Sequence, residues 1–241
     1  MADWYSKIEK RIFMSDHFYS VVVNLLKDVT KNKKRILDVG CGNGYLLQKL
    51  REFDRNLELY GVDFSPKLVE NARKRLLNGA IIKQSSAYKL PYPDKFFDIV
   101  VMTEVIEHLR EPSRGLKEAY RVLKDDGYFV ATFPNATAYS PIYKFFERMP
   151  KFLKDNQLLR SIFLPAEHPL NTFQPIDTMF FFSDILNLLR DNKFKIRTIS
   201  GSCYLPYLTL EIRYLNKIDS FFNKLGLTKM GYRLAIMCEK R

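Results

Sequence analysis

The sequence predicts an α/β protein organised around a largely parallel sheet. Three observations carry this. Strand-like and helix-like segments alternate from residue 33 to residue 133, the pattern of successive β-α-β units. The run Phe96-Phe97-Asp98-Ile99-Val100-Val101-Met102 is almost continuously apolar, as expected of a parallel strand buried on both faces. The strand-like Ile36-Leu37-Asp38-Val39 ends in Gly40, Gly42 and Gly44, and a helical pattern follows at once.

Taken in order, residues 1–32 read as helical, with Ile8, Ile12 and Phe13 and then Phe18, Val21, Val22, Leu25 and Leu26 along one face. The first strand and its glycine turn come next. Glycine has no Cβ and tolerates positive φ, so the turn can be sharp and its backbone can approach a ligand closely. Strand, glycine turn and helix N-terminus make a nucleotide-type pocket at the carboxyl end of a strand. The helix runs to about residue 53. Leu57 to Asp63 is a second strand ending in an acid, 23 residues after Gly40, where a carboxylate can accept hydrogen bonds from a ribose diol. Ser65 before Pro66 is the expected N-cap of a helix to Leu77, which Asn78-Gly79 should end.

Residues 80–84 form a short third strand, 85–94 a loop and 96–102 the fourth strand. Pro112 to Leu123 is helical, Asp125-Asp126-Gly127 is a turn, and Tyr128 to Phe133 is strand five. Residues 136–182 contain five prolines (Pro141, Pro150, Pro165, Pro169, Pro175), no clear strand, and an aromatic stripe through Ile142, Phe145, Phe146 and Met149. Ser183 to Leu189 is a helix, Phe194 to Ile199 an alternating sixth strand, Leu215 to Leu225 a helix and Tyr232 to Cys238 a closing strand.

The 241 residues, 46% of them hydrophobic, suffice for one large domain with a full core. The formal net charge of +12 attracts polyanions such as nucleic acid, anionic lipid or phosphorylated substrates, and is equally compatible with a Lys-rich solvated surface. Three cysteines with no C-x-x-C pair argue against a disulfide framework or a structural zinc and fit a reducing, cytoplasmic setting. Met1 to Tyr5 does not read as a secretory leader, and no apolar run is long enough to span a bilayer.

One cluster stands out beyond the glycine turn. Thr103-Glu104-Val105-Ile106-Glu107-His108-Leu109 follows the fourth strand at the sheet's carboxyl edge. His108 is one of three histidines, with His17 and His168, and is the best placed to serve as a general base; the alternative is a loop histidine that orients its neighbours. Glu107 beside it is the second catalytic candidate. The E-x-x-E-H spacing could also place Glu104, Glu107 and His108 around one divalent ion, with His168 completing the set.

The chain resembles the class I S-adenosylmethionine-dependent methyltransferases, closely over 33–134 and loosely over 183–241. The pieces that carry the resemblance are Ile36 to Gly44, Gly61-Val62-Asp63-Phe64-Ser65, Leu90 to Asp94 with Phe97 to Val100, Glu104 to Leu109, and Arg121 to Tyr128. A nicotinamide-binding fold would need G-x-G-x-x-G instead of evenly spaced glycines.

The resemblance implies a Rossmann-like doubly wound sheet of seven strands, mostly parallel with an antiparallel last strand and helices on both faces. It implies one domain: an N-terminal helical cover (1–32), a cofactor-binding core (33–134), an acceptor-side insertion (135–182), and a C-terminal helix and strands that complete the sheet (183–241). The cofactor would be S-adenosyl-L-methionine, leaving as S-adenosyl-L-homocysteine. Asp38 would face its amino group, and Gly40, Gly42 and Gly44 would let the backbone approach its methionine part. Asp63 would take the ribose hydroxyls and Phe64 pack on the adenine. Ser86 and Ala87 would meet the adenine edge, chiefly through the Ala87 amide because Ser86 stands where relatives often carry Asp. Thr103 would offer backbone near the methionine group.

E-x-x-E-H is similar to a metal-binding motif of some ubiquinone-pathway O-methyltransferases and small-RNA terminal 2′-O-methyltransferases, although many metal-free relatives also carry Glu-His here. The C-terminal part resembles broad-spectrum small-molecule methyltransferases, except that Lys193 replaces a frequent glycine. The basic, aromatic insertion suits a small-molecule, lipid-linked or glycan hydroxyl acceptor, with peripheral contact to an anionic membrane. An RNA acceptor, or a non-catalytic scaffold role, are the alternatives.

Overall fold

The structure, a computed structural model, describes residues 12–27, 29–31, 35–77, 79–136, 180–202, 212–231 and 233–240. The expected helix of residues 1–11, the aromatic stripe at Ile142 to Met149 and His168 lie outside the described residues. The elements are α1 (Ile12–Leu26), β1 (Arg35–Val39), α2 (Tyr45–Phe53), β2 (Glu58–Asp63), α3 (Pro66–Leu76), β3 (Ile81–Gln84) and β4 (Phe97–Thr103). They continue with a 3-10 turn (Ile106–His108), α4 (Pro112–Val122), β5 (Leu123–Pro134), α5 (Phe182–Asp191), β6 (Phe194–Ser202), α6 (Ile212–Lys224), a second 3-10 turn (Thr228–Met230) and β7 (Arg233–Lys240).

The seven strands form one sheet in the order β3-β2-β1-β4-β5-β7-β6. β1 to β5 pair in parallel, and β7 inserts antiparallel between β5 and β6. The sheet is doubly wound, because alternate residues of each strand serve opposite faces. Val100, Met102, Phe129 and Ala131 pack with Leu116 and Ala119 of α4 and Ile185 and Leu189 of α5. Ile99, Val101 and Val130 pack with Val22 and Leu26 of α1, Leu46, Leu47 and Leu50 of α2 and Val69 and Ala72 of α3. Strand order reverses between β1 and β4, which opens a crevice above their carboxyl ends, where such sheets bind ligands.

Four local details differ from the sequence reading. The left-handed residue that ends α3 is Leu77 (φ 40), not Gly79. β5 begins at Leu123, directly off α4: residues 124–127 bulge out between the Phe97–Leu123 and Ile99–Tyr128 pairs, and Lys124 Nζ holds the bulge through Asp98 Oδ1 at 2.7 Å. The expected Asp125–Gly127 turn is therefore an excursion inside one strand. The alternation of β6 is interrupted by a bulge between Ile196 and Thr198, and the strand runs on to Ser202. Lys193, where the resemblance expects glycine, has φ 67, the conformation that makes glycine the easier residue there.

The edge of the sheet farthest from β3 is anchored by Phe194, which is fully buried and stacks on Phe129 with ring centroids 4.5 Å apart. Phe194→Ala should destabilise the protein by about 3–5 kcal/mol, read as a fall in the midpoint of urea unfolding at unchanged slope.

Candidate functional site

The glycine turn sits at the carboxyl end of β1. Gly40, Gly42 and Gly44 all have positive φ (75, 52 and 79). The Gly40 and Cys41 amides donate to Val62 O at 2.7 and 3.0 Å, which ties the turn to β2. A Cβ on Gly40 would overlap Val105 Cγ2, and one on Gly44 would press Leu76 Cδ1 at 3.0 Å. A Cβ on Gly42 would meet nothing within 4 Å. Two glycines therefore fit the turn against the protein, and the middle one leaves its open side to a ligand.

Two carboxylates flank the turn. Asp38, the fourth residue of β1, is 1% exposed, and its Oδ1 has no hydrogen-bond partner. Burial, then the charge of Asp63, pushes its pKa up to about 8. A buried acceptor without a donor is costly, so this oxygen is suited to a cationic or N–H-bearing ligand group. Asp63 ends β2. Its Oδ2 accepts from the Gly42 amide at 2.9 Å and its Oδ1 from the Ser65 amide at 2.8 Å. Burial raises its pKa, and the amides of Ser65, Gly42 and Phe64 oppose that rise. Each oxygen keeps capacity for one more donor, which is what a vicinal diol supplies. Phe64, next in sequence, is 77% exposed, an open aromatic face beside Asp63. Ser65 caps α3 as expected, accepting from Leu68 N at 3.4 Å.

The loop after β3 comes to the same edge. Ser86 Oγ accepts from the Tyr88 amide at 3.2 Å, and Ser86 O accepts from the Lys89 amide. The Ser86 hydroxyl is thus engaged in shaping its own turn and is a weak acceptor for any ligand. Ala87 packs against the core beneath.

Thr103 ends β4, buried, and pairs with Thr132 of β5. Glu104 follows with φ 52, a strained value for a residue with a side chain. Its amide donates to Thr132 Oγ1 at 3.0 Å, and that hydroxyl donates back to Glu104 Oε1 at 3.0 Å. Arg233 at the start of β7 pairs with Glu104 Oε2 at 3.3 Å. Glu107, in the 3-10 turn, is 1% exposed, and its Oε2 has no partner. Burial, then the charge of Glu104, raises its pKa well above the usual carboxylate range, against the opposing pull of His108 and Arg233. His108 ends that turn, half-buried.

The expected metal set of Glu104, Glu107, His108 and His168 is described here only in part, because His168 lies outside the described residues. Among the described residues, no three His, Cys, Asp or Glu side chains gather to hold an ion. Glu104 is turned to Arg233 and Thr132, so Glu104, Glu107 and His108 do not converge as the E-x-x-E-H spacing suggested. The sequence reading passed over Arg233, Thr132 and Tyr19. The phenol of Tyr19 on α1 is pushed up by burial and lies within reach of the charges of Asp38, Arg233 and Glu104. A hydroxyl in the apolar run of β5 was the one available signal for Thr132; nothing local marked Arg233 or Tyr19.

Comparison with known proteins adds to this geometry. A family model described as a methyltransferase domain matches residues 37–131. This segment is thus similar to methyltransferase domains. An uncharacterized methyltransferase of Schizosaccharomyces pombe is 38% identical over 114 residues, 43% of this chain and 41% of that protein. The demethylmenaquinone methyltransferase of Thermotoga maritima is 35% identical over 109 residues, 45% of this chain and 46% of that protein. The chain therefore spans less than half the length of these relatives. A chain of the solved complex between the Haloferax volcanii Trm112 methyltransferase activator and a methyltransferase superposes with a TM-score of 0.68 at 17% identity, covering 98% of this chain and 96% of that one. At that identity the likeness is one of fold.

The residues of the methyltransferase domain fit S-adenosylmethionine on their own geometry. The unpartnered Asp38 oxygen, the open side of Gly42, the spare acceptor capacity of Asp63 and the bare ring of Phe64 are chemically compatible with a ligand that carries a cation, a polar chain, a diol and an aromatic ring.

Asp38 yields a pH prediction. Its folded pKa of about 8 lies above the unfolded value near 4, so between these the folded state holds a proton that the unfolded chain has lost. Ligand-free stability should therefore fall as pH rises from about 4 to about 8. Binding an ammonium displaces that proton, so affinity for S-adenosylhomocysteine should rise up to about pH 8 and then level off. Asp38→Asn should flatten both profiles, measured by urea unfolding and calorimetry.

Proposed function

We propose that this chain transfers the methyl group of S-adenosylmethionine to a hydroxyl of a small-molecule acceptor, lipid-linked and glycan compounds included, by in-line displacement. The observation that carries the donor half is the buried, unpartnered Asp38 oxygen between the glycine turn and Asp63. The likeness to a demethylmenaquinone methyltransferase supports a small, ring-bearing acceptor.

When bound, S-adenosylmethionine supplies an activated methyl carbon on a sulfonium that leaves as a neutral thioether. In this reading Asp38 holds its ammonium, and the backbone of Gly40, Gly42 and Thr103 lies along its methionine part. Gly44 starts the following helix. Asp63 holds the ribose hydroxyls, Phe64 covers the adenine, and Ser86 and Ala87 meet the adenine edge. The remaining work is alignment and proton removal. Glu107 would take the proton that the acceptor hydroxyl gives up on methylation. Its raised pKa makes it a stronger base than an ordinary carboxylate, and His108 and Arg233 favour its ionised form. His108 orients this turn or serves as the alternative base. The acceptor-side role expected of residues 135–182 falls largely on residues outside the described ones. This reading assigns the protein to the cytoplasm, with its basic surface available to an anionic membrane. Among the described residues, no helix is long and apolar enough to cross a membrane.

The formal charge of +12 favours RNA as a second acceptor class. The test is mass spectrometry of a cell extract incubated with protein and isotopically labelled S-adenosylmethionine. A labelled small molecule is expected. Label confined to RNA, with salt-sensitive RNA binding, would establish the second reading instead. Failure to bind the donor would leave a scaffold role. Glu107→Gln should lower kcat about 10²–10⁴-fold while leaving the affinity for S-adenosylhomocysteine unchanged.

A further inference from the structure

One face of α3 is turned to the glycine loop. Asn71, Ala72, Arg75 and Leu76 recur at helical spacing on that face. Asn71 Nδ2 donates to Asn43 Oδ1 at 3.3 Å. Leu76 and Ala72 stand where a Cβ on Gly44 would meet them, at 3.0 and 3.3 Å, so the loop end lies flat on the helix. Arg75 makes three contacts at once. Its Nε donates to Asn43 O at 2.9 Å, its Nη1 donates to Gln48 Oε1 at 3.2 Å, and its guanidinium lies 3.7 Å from the centroid of the Tyr45 ring. It therefore grips the loop, the first residue of α2 and the next turn of that helix.

The loop needs such a grip. Three of its five residues hold positive φ, and α2 starts at Gly44 with no side-chain cap. A loop of this kind is costly to order when a ligand arrives, and fixing it beforehand lowers that cost. The same helix begins at Ser65, whose amide is bonded to Asp63. α3 thus joins the two ends of the donor site: its N-terminus is bonded to the ribose-binding acid, and its later turns hold the methionine-binding loop.

We propose that Arg75 is a positioning residue that pre-forms the glycine loop for the amino-acid end of the methyl donor. This rests on the reading of that loop as the donor site. The test compares two ligands by calorimetry: S-adenosylhomocysteine, which spans both ends, and 5′-methylthioadenosine, which lacks the amino-acid end. Arg75→Ala should weaken S-adenosylhomocysteine about three- to tenfold and leave methylthioadenosine within about twofold of wild type. Arg75→Lys, which keeps a donor for Asn43 O but loses the planar stack, should fall between. Arg73→Ala is the control, because Arg73 bonds Ile82 O on the β3 side of the helix and should alter neither ligand. In turnover, Arg75→Ala should raise KM for the donor with kcat unchanged. Wild-type affinity for S-adenosylhomocysteine in Arg75→Ala, or equal loss of both ligands, would overturn the proposal. Failure of the wild-type protein to bind either ligand would remove the donor-site reading and the proposal with it.

Discussion

Two carboxylates, Asp38 buried and Asp63 half-buried, at the ends of neighbouring parallel strands are the constraint on which the rest of the site depends. Asp38 lies beside Gly61 in the β1–β2 register, two residues before Asp63. Burial raises the cost of ionising both, and the charge of Asp63 adds to that cost for Asp38. The fold relieves the two unequally. Asp63 receives the Gly42 and Ser65 amides, so its charge is compensated by backbone. Asp38 keeps an oxygen with no donor. That asymmetry leaves Asp38 an acceptor with no partner in the fold and Asp63 a carboxylate already held by the turn and the start of α3.

A second pair of carboxylates repeats the theme at the end of β4. Glu104 is compensated by Thr132 and Arg233, at the cost of a strained backbone, whereas Glu107 lies buried with an unpartnered oxygen. Strain of this kind persists only where surrounding structure over-determines it. Here β5 and β7 supply that structure, so the antiparallel strand added late in the chain bears directly on the turn that follows β4. The buried, unpartnered oxygens of Glu107 and Asp38 are two instances of one electrostatic problem at the carboxyl edge of the sheet.

The legible part of this site was the part built from neighbours in sequence. Positive φ at alternate residues calls for glycine, an acid closes the second strand, and Ser65 before Pro66 announces a helix start; each signal spans a few residues and appears in the structure where expected. The E-x-x-E-H spacing was also local, but spacing alone cannot say which way a side chain turns, and Glu104 turned to an arginine 129 positions away in the sequence. Gly79 looked the natural helix terminator, yet Leu77 took the left-handed position.

The sequence by itself determined the fold class, the succession of strands and helices along the described residues and the position of the glycine turn, because periodicity, turn chemistry and capping are properties of short segments. Only the tertiary structure decided what surrounds the catalytic candidates. The Glu104–Arg233–Thr132 contact, the isolation of Glu107, the placement of Tyr19 beside Asp38 and the grip of Arg75 on the glycine loop all join elements that meet only once the sheet is assembled. Burial and charge pairing depend on that meeting, and no local pattern encodes them.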